Sequence, residues 1–506
     1  MHTRSIATST LWQLGSQAVT MVLSIVSIKF VTIALSQSLV GNYQTVWSYL
    51  QIFGILADFG LYAVAVREFS KAKDPGLTLG TLFVLRAGIT LLSLGGAIGI
   101  AFALPGFGGT PLPLGIAIAV FVPFFTLLSG MLRTLFQVRY QMHYVFLAEV
   151  CSKFIPVCLI GLSLIFGARL SDNLNLYYAF LGFGGIGSLI LFLFSLRFAR
   201  PLLSALGKPD EAELRPASRG LLGVHPRFSG AEFFRILRLS APYGIAFLMT
   251  TIYRQSDVTL IALLRPQDYD IQNAHYGIVM RLTEVGFLLP TLIMNSALPV
   301  MSTGGRSDME DFLGKLLLSL LTLGSIISLF SFFLARPLIL LITQESYLST
   351  PLSFGSDTAL QLMAFPMFLG MIITFCFYLL LHEHRWKWLL TFTTFSAALS
   401  VTFNSALIPQ FGFMGAAMTS VFIHLFLTAG LLIVSLRFTK VSIPFSKLCQ
   451  WFAFSLLVGL SLFAIGPIIT SSVSLIFLGG FMLAISFLLL FLLGLPPADF
   501  LRVTAH

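Results

Sequence analysis

Charged side chains occur inside long apolar stretches of this sequence, where their surroundings make them costly. Each one costs about 2.5–3.5 kcal/mol at the centre of a membrane-spanning helix. An acid or a base kept at such a position therefore pairs with another charge or binds a charged ligand. The ionisable residues in this position are Lys29, Asp58, Arg86, Glu149, Lys153, Arg254, Asp257, Arg281 and Glu284. They are the first candidates for a functional site.

Polar residues in four of the apolar stretches share one helical face each, because they recur at helical spacing. Counted in chain order, these faces comprise Gln13, Gln17, Thr20, Ser24 and Ser27 in the first stretch; Gln44, Trp47, Ser48, Gln51 and Asp58 in the second; Ser240, Tyr243, Thr250, Arg254 and Asp257 in the seventh; and Arg281, Glu284, Thr291 and Asn295 in the eighth. Lipid cannot satisfy polar groups, so each face must look into the protein or into a wet cavity. The four stretches occupy equivalent places in two halves of the chain and predict a central cavity between them.

The charged residues also have structural interpretations. Three pairs have the i,i+3 or i,i+4 spacing of an ion pair within one helix: Arg254–Asp257, Arg281–Glu284 and Glu149–Lys153. Asp58 has no such neighbour, so it either pairs across helices or binds a proton or a cation. Arg86 lies near a helix end, and we expect it to extend its guanidinium to the membrane surface. We expect His424, isolated in the twelfth stretch, to be a packing residue.

The composition requires a membrane protein. Apolar residues make up 57% of the 506 residues and charged residues only 10%, whereas about 25% of an average soluble protein is charged. So few charges cannot cover a water-facing surface, which excludes a soluble multidomain enzyme. The stretches with the length of a membrane span lie at roughly 10–34, 41–65, 80–104, 113–136, 144–168, 174–196, 237–264, 274–300, 313–335, 357–381, 387–408, 411–436, 447–467 and 473–494. They predict an all-α polytopic membrane protein with about 14 transmembrane helices.

The longest polar interruption predicts the domain organisation. It separates an N-terminal bundle of six helices at 1–198 from a C-terminal bundle of helices 7–12 at 236–440, through a cytoplasmic linker at 199–235. Residues 441–506 form two additional helices and a short tail. With the N-terminus in the cytoplasm, most Lys and Arg residues fall in inner loops and termini, and only Arg169, Arg265 and Arg336 fall in outer loops. This bias follows the positive-inside rule and predicts an inner (plasma) membrane protein with both termini in the cytoplasm.

The sequence lacks the motifs of several kinds of enzyme and metal site. The sequence has no Gly-x-x-x-x-Gly-Lys-[Ser/Thr] phosphate loop, and no Cys/His group has the spacing of a metal site. The largest outer loop, about residues 336–356, offers only Arg336 and Glu345 as catalytic groups. We therefore expect no enzyme activity, no cofactor and no metal. The net charge of +10 is mostly the topology signal, so no nucleic-acid partner is implied, although basic loops suit anionic lipid headgroups.

Short motifs in both halves resemble a known family. Segments 35–43 (LSQSLVGNY), 56–61 (LADFGL) and 66–68 (VRE) are similar to the opening of bacterial O-antigen-type polysaccharide flippases of the multidrug/oligosaccharidyl-lipid/polysaccharide exporter superfamily. Segments 256–258 (SDV), 275–276 (HY) and 289–290 (LP) resemble that family's seventh and eighth helices. Segment 408–417 (IPQFGFMGAA) resembles its eleventh-to-twelfth turn. The family tends to have an Asp-Arg pair in the seventh helix, whereas here Arg254 precedes Asp257 and Val258 follows it.

The resemblance implies two pseudo-symmetric bundles in a V around a central cavity, and transport of an undecaprenyl-pyrophosphate-linked oligosaccharide from the inner to the outer leaflet. Arg254 and Arg281 would supply cationic contacts to the pyrophosphate. The polar residues that would contact sugar or line the cavity are Gln44, Trp47, Gln51, Thr250, Thr291 and Asn295. Asp58, Asp257 and Glu284 would take part in coupling to H⁺ or Na⁺. Glycan polymerase or ligase machinery would be a partner.

Three alternatives stay open. A cation-coupled multidrug exporter of the same superfamily would need a net acidic cavity. The faces of the second, seventh and eighth stretches hold the acids Asp58, Asp257 and Glu284 against two arginines, which is compatible with it. A lipid II flippase is a near relative. A membrane glycosyltransferase or glycan polymerase is disfavoured, because the outer loops lack a catalytic segment.

Overall fold

The computed structural model describes residues 2–61, 64, 65, 68, 75–138, 141–206, 229–301 and 306–495, and its regular elements there are helices. The N-terminal helices are α1 His2–Ala34, α2 Gln37–Asp58, α3 Pro75–Ala103, α4 Leu112–Ala119, α5 Phe121–Val138, α6 Met142–Ile165, α7 Leu174–Leu206 and α8 Gly230–Leu264. They are followed by α9 Tyr269–Met301, α10 Arg306–Phe333, α11 Ala335–Ile342, α12 Ser356–His382, α13 Trp386–Phe411, α14 Phe413–Phe438, α15 Phe445–Ile465 and α16 Ser472–Leu492. A π-helical turn at Leu475–Gly479 interrupts α16.

Each predicted span coincides with a helical segment, so the all-α polytopic membrane fold is confirmed. In the part of the chain that the structure describes, 12 helical segments are long and apolar enough to cross a membrane. The helices α2 and α13 account for the two remaining predicted spans; their Gln, Asn, Ser and Thr residues make them less apolar. The fourth span consists of two helices, α4 and α5, which meet at Val120.

The chain divides by packing into two units, Met1–Ala262 and Leu263–His506. In the first unit, α1 packs along α6, α7 packs against α5 and α6, and α2 packs against α3. The helix α8 belongs almost entirely to this unit. The division at 1–198, 199–235, 236–440 and 441–506 stays a prediction. Most of the predicted linker lies outside the described residues, and the flanking residues are helical up to Leu206 and again from Gly230.

In the second unit, α12 is central and packs against α9, α10 and α14, while α13 packs along α14. The last two helices, α15 and α16, share an apolar cluster with one face of α10. The cluster contains Leu318, Ile326, Leu334, Phe454, Val458, Leu462 and Met482. Ser325 of α10 adds polar contacts there, because it accepts hydrogen bonds from Trp451 Nε1 at 3.1 Å and from Ser455 Oγ at 3.0 Å. The two trailing helices are therefore an integral part of this unit.

Corresponding turns join corresponding helices in the two units. After α1, the Ser36 N–H donates to Ser171 O at 3.0 Å, in the turn between α6 and α7. After α8, Arg265 Nη1 donates to Pro409 O at 3.4 Å, near the turn between α13 and α14. Gln272 Oε1 accepts from the Phe413 N–H of that turn at 2.9 Å. Because the first, fifth and sixth spans correspond to the seventh, eleventh and twelfth, these contacts support an internal repeat.

Candidate functional site

Asp58 and Arg86 form an ion pair across two helices of the first unit. Asp58 ends α2, and its Oδ1 lies 2.7 Å from Nη2 of Arg86 on α3; the Arg86 side chain is only 3% exposed. Gly130 of α5 leaves room for the guanidinium, because a Cβ there would lie 3.4 Å from Arg86 Nη2. Of the two possibilities for Asp58, the structure shows cross-helix pairing. The prediction that Arg86 extends to the membrane surface is wrong, since a carboxylate inside the bundle satisfies its charge.

A second charged cluster connects α1, α5 and α6. Arg133 Nη1 lies 2.7 Å from Glu149 Oε1, and the Ser16 hydroxyl of α1 donates to the other carboxylate oxygen of Glu149. Arg133 was not predicted as a site residue, because it lies at the end of its apolar stretch, where an arginine is typical of a basic loop. Its spacing of three residues from Gly130 places it on the face of α5 that approaches Arg86. The two clusters together contain two arginines and two acids.

The polar face of α2 lies partly within the packing of the first unit. Gln44 is 1% exposed, whereas Trp47 and Gln51 are half-buried. The Trp47 ring meets Tyr43 edge-on at 5.8 Å between centroids. A Cβ at Gly184 of α7 would lie 3.2 Å from the Trp47 ring, so the indole rests on a glycine. Of the predicted sugar contacts on α2, Trp47 and Gln51 therefore keep partial exposure, and Gln44 does not.

The predicted site residues of α8 differ in accessibility. Thr250 and Arg254 are half-buried, whereas Asp257, one turn further on, is buried at 2% exposure. The Thr250 hydroxyl donates to the Ala246 carbonyl at 2.8 Å, which is the usual way in which threonine satisfies its hydroxyl inside a helix. The face therefore presents Thr250 and Arg254 more openly than Asp257.

The predicted site residues of α9 extend along the half of the helix that follows Arg281. Arg281 Nη1 lies 3.2 Å from Glu284 Oε2, and both side chains are half-buried, which confirms the ion pair within the helix. Thr291 is half-buried. Asn295 is exposed, and its Oδ1 accepts a hydrogen bond from Tyr378 Oη of α12 at 2.7 Å. Glu284 and Asn295 are thus oriented by partners within the second unit.

His424 of α14 is a packing residue, as predicted. It is 3% exposed, and its ring stacks on Phe287 of α9 with the centroids 5.5 Å apart. Its Nδ1 lies 2.7 Å from the carbonyl of Ser420, one turn earlier in the same helix. The stacking on Phe287 and the contact with the Ser420 carbonyl explain how an apolar helix accommodates this isolated histidine.

The end of α2 interlocks with α8 inside the first unit. Phe59 and Gly60 both have left-handed backbone conformations, with φ of 42° and 69°. A Cβ at Gly60 would lie 2.6 Å from Tyr243 Cβ and 2.8 Å from Gly244 N, and a Cβ at Gly244 would lie 2.9 Å from Phe59 O. Further along the chain, Arg235 Nη2 lies 2.7 Å from Glu68 Oε2. The first half of α8 is therefore fixed to the segment that follows α2.

No group of three or more His, Cys, Asp or Glu residues within the described ranges could hold a metal ion. Each unit instead has ion pairs and half-buried polar side chains of its own, on α2 and α8 in the first unit and on α9 in the second. The cavity predicted from the faces of these helices stays a prediction.

A helical fold with many apolar spans and with charged pairs inside some of them defines a multi-pass membrane protein. The model of the family described as "Polysaccharide biosynthesis protein" matches residues 6–304, which is more than half of the chain. The chain belongs to this family.

Solved structures with a similar fold are membrane transporters. The lipid II flippase MurJ, in an inward closed conformation, is 13% identical, with a TM-score of 0.70 over 99% of this chain and 100% of that chain. An inward-facing multidrug resistance MATE family transporter of the MOP superfamily is 11% identical, with a TM-score of 0.59 over 83% of this chain and 95% of that chain. An outward-facing one is 14% identical, with a TM-score of 0.55 over 86% and 95%. At these identities the likeness shows the fold alone. None of the curated protein sequences matches the chain.

Proposed function

We propose that the protein carries an undecaprenyl-pyrophosphate-linked oligosaccharide from the inner to the outer leaflet of the plasma membrane by alternating access. The observation that carries the proposal is the family match over residues 6–304 on a transporter fold. A protein that serves polysaccharide biosynthesis and has such a fold requires a cargo that is both a glycan and soluble in the bilayer. A lipid-linked oligosaccharide has both properties.

The arginines on α8 and α9 suit the charged part of this cargo. A pyrophosphate needs cationic partners, and the planar guanidinium binds phosphate oxygens in a bidentate manner. Arg254 is half-buried, and Arg281 is half-buried beside Glu284. In this proposal the cargo's phosphates replace part of the Arg281–Glu284 interaction when they bind.

Sugar hydroxyls need amides, hydroxyls and aromatic faces. The half-buried or exposed residues proposed for these contacts are Trp47, Gln51, Thr250, Thr291 and Asn295. Gln44, which is 1% exposed, would support them from within the bundle. Asp257 and Glu284 are proposed to couple transport to H⁺ or Na⁺, with both chain termini in the cytoplasm. Asp58 would join them only by exchanging its ion pair with Arg86 for a proton or a cation. Glycan polymerase or ligase machinery would receive the flipped product.

Deletion and complementation test the proposal. We expect deletion of the gene to cause accumulation of lipid-linked oligosaccharide facing the cytoplasm, measured by its protection from a glycan-modifying enzyme added outside the cells. The intact gene should reverse this accumulation. The Arg254→Ala/Arg281→Ala double variant should not reverse it, although it should reach the membrane in normal amounts.

The matched control is Arg437→Ala, since Arg437 is an exposed arginine at the end of α14. It should restore transport fully. If the double variant also restored transport, the proposed role of the two arginines would be contradicted, but the proposed cargo would not. If the chain instead rescued cells depleted of their lipid II flippase, or protected a drug-hypersensitive strain, the cargo itself would be wrong.

A further inference from the structure

The connection between α11 and α12 ends in a rigid turn that exposes large apolar side chains. Leu352 is 99% exposed and Phe354 is 62% exposed. We call residues 350–354 the apolar tip. Thr350 N donates to Ser353 O at 3.0 Å and Ser353 N donates to Thr350 O at 3.3 Å. Pro351 occupies the second position of this four-residue turn, where its fixed φ favours the turn. Leu352 follows Pro351 at the third position of the turn.

The base of the turn is fixed to the protein. Asp357, in the first turn of α12, accepts hydrogen bonds from the Ser349 N–H and the Ser349 hydroxyl, both at 2.7 Å. A Cβ at Gly355 would lie 2.1 Å from Ser349 N, so only glycine fits there. Tyr347 is 2% exposed and meets the ring of His275 edge-on. The exposure of Leu352 and Phe354 is thus imposed by a well-anchored segment.

The position and chemistry of the apolar tip match the boundary of a bilayer. The span formed by α12 begins at Ser356, two residues after Phe354. No charged residue occurs from 346 to 356. The adjacent helices expose aromatic rings as well: Phe332 of α10 and Phe365 of α12 are exposed, and their ring centroids lie 6.2 Å apart. Apolar and aromatic side chains next to the end of a span are typical of residues that enter the headgroup region.

The first unit has a comparable feature at the end of one of its own spans. Ile165, the last residue of α6, and Phe166, which follows it, are 80% and 82% exposed. The span formed by α6 ends at Ile165. Two turns from different parts of the chain therefore present apolar side chains at the end of a span, although a turn in water would favour polar ones.

We propose that the apolar tip inserts into the interface of the leaflet at this end of the spans, with Leu352 and Phe354 below the headgroups. The insertion fixes the depth and tilt of α12 through the Ser349–Asp357 contacts. The partner is the lipid surface itself, and the inference does not depend on which cargo the protein carries.

Spin labelling tests the proposal on the full chain in liposomes of phosphatidylethanolamine and phosphatidylglycerol. The four cysteines, Cys151, Cys158, Cys376 and Cys449, are first replaced by alanine or serine, and a nitroxide is attached to Leu352→Cys or Phe354→Cys. The matched control is Glu345→Cys, an exposed charged position in the same connection. We expect the ratio of oxygen to nickel-chelate accessibility at position 352 to exceed that at 345 at least about threefold, because oxygen concentrates in the bilayer and the chelate in water.

Two results would overturn the proposal. Equal ratios at 352 and 345 would place the tip in water. A label at 352 that is shielded from both reagents would indicate a protein contact, such as a second copy. If the cysteine-free chain does not fold, the photoreactive residue p-benzoylphenylalanine is placed at 352 or at 345 of the otherwise unaltered chain. Irradiation in the same liposomes should then give phospholipid adducts at 352 but not at 345, and adducts in equal amounts would contradict the insertion.

Discussion

Arg86 and Asp58 show how a single charged residue is tolerated inside the apolar part of this molecule. Each satisfies the other across two helices at 2.7 Å, and Arg133 and Glu149 do the same between α5 and α6. Burying such a pair brings little net stability, but removing one partner leaves the other uncompensated. Separating the helices that carry these pairs would therefore leave charges without partners.

Replacing Arg86 by alanine should destabilise the first unit. The Asp58 carboxylate would lose its cation in a mostly buried position, and we expect a loss of about 3 kcal/mol. The measurement is the thermal stability of the purified protein in detergent, with exposed Arg437→Ala as the control. The Asp58→Ala/Arg86→Ala double variant should lose less stability than the sum of the losses in the two single variants, because the pair acts as a unit. Additive losses would show that the two charges do not stabilise each other.

Asp58→Asn separates a structural role from a coupling role. The ion pair predicts a lower melting temperature, because the amide carries no charge to balance Arg86. The measurement compares this temperature with the rate of transport in the complementation assay. A variant with unchanged melting temperature and abolished transport would instead make Asp58 a coupling acid and contradict the structural role.

Tyr347 should make the protein sensitive to alkali. Burial raises the pKa of Tyr347 above its ordinary value of about 10, so the folded state favours the neutral phenol. Because the folded-state pKa exceeds the unfolded one, this contribution to stability is present below about pH 10 and is lost as the pH rises further. Tyr347→Phe should reduce the loss of thermal stability between pH 9 and pH 11, as followed by thermal unfolding.

The same variant should not destabilise the protein at neutral pH. The Tyr347 hydroxyl is buried without a hydrogen-bond partner among the described residues, so its removal leaves no donor or acceptor unsatisfied. A marked loss of thermal stability at pH 7 would show that the Tyr347 hydroxyl has a hydrogen-bond partner. The unaltered chain serves as the reference.

At the scale of the helices, close approach of backbones fixes α8 to the end of α2. Gly60 combines a positive φ with contacts to Tyr243 and Gly244 that exclude a side chain. Phe59, in the same left-handed region, is a bulky residue that rarely adopts this conformation. Two consecutive residues with positive φ, Phe59 and Gly60, end α2 sharply and bring its end against α8.

Gly60→Ala should loosen this contact. The left-handed backbone costs a non-glycine residue about 1–2 kcal/mol, and the added Cβ would lie 2.6 Å from Tyr243 Cβ. We expect a clearly lower melting temperature and faster proteolysis of the segment that joins α7 to α8. The control is Gly88→Ala in α3, where no atom lies within 4 Å of the added Cβ. It should be neutral or stabilising, since alanine is the better helix former. Equal effects of the two variants would contradict the interlock.

The positions of the helices were largely predictable from the sequence, whereas the ion pairs between different helices were not. The span predicted at 357–381 is the helix Ser356–His382, because an apolar run of this length has few other solutions in a bilayer. The fourth span is divided at Val120, close to Pro123, which has no N–H for the carbonyl of Ala119. The pairs Asp58–Arg86 and Arg133–Glu149 join residues of different helices, so they depend on packing that local spacing does not contain. In contrast, the Arg281–Glu284 pair lies within one helix and followed from its spacing.

At the scale of the whole molecule, the predicted number of 14 spans is even and would place both termini on the same side of the membrane. The predicted orientation rests on the loops that contain Lys and Arg, such as the segment 207–228. We expect a reporter that is active only outside the cytoplasm to be inactive when inserted after Lys208 and active when inserted after Leu352. The N-terminal fusion serves as the control and should be inactive. Reporter activity after Lys208 would show that the predicted orientation or the predicted number of spans is wrong.

The charge pairs described in the first and second units have an electrical consequence. A helix that moves an elementary charge across the membrane potential gains or loses about 2.3 kcal/mol per 100 mV. An ion pair that moved together with its helices would travel as a neutral dipole, and this applies to Asp58–Arg86, Arg133–Glu149 and Arg281–Glu284. Their displacement carries no gating charge, so voltage can drive a conformational cycle through these pairs only after an anion or a cation has joined one of them.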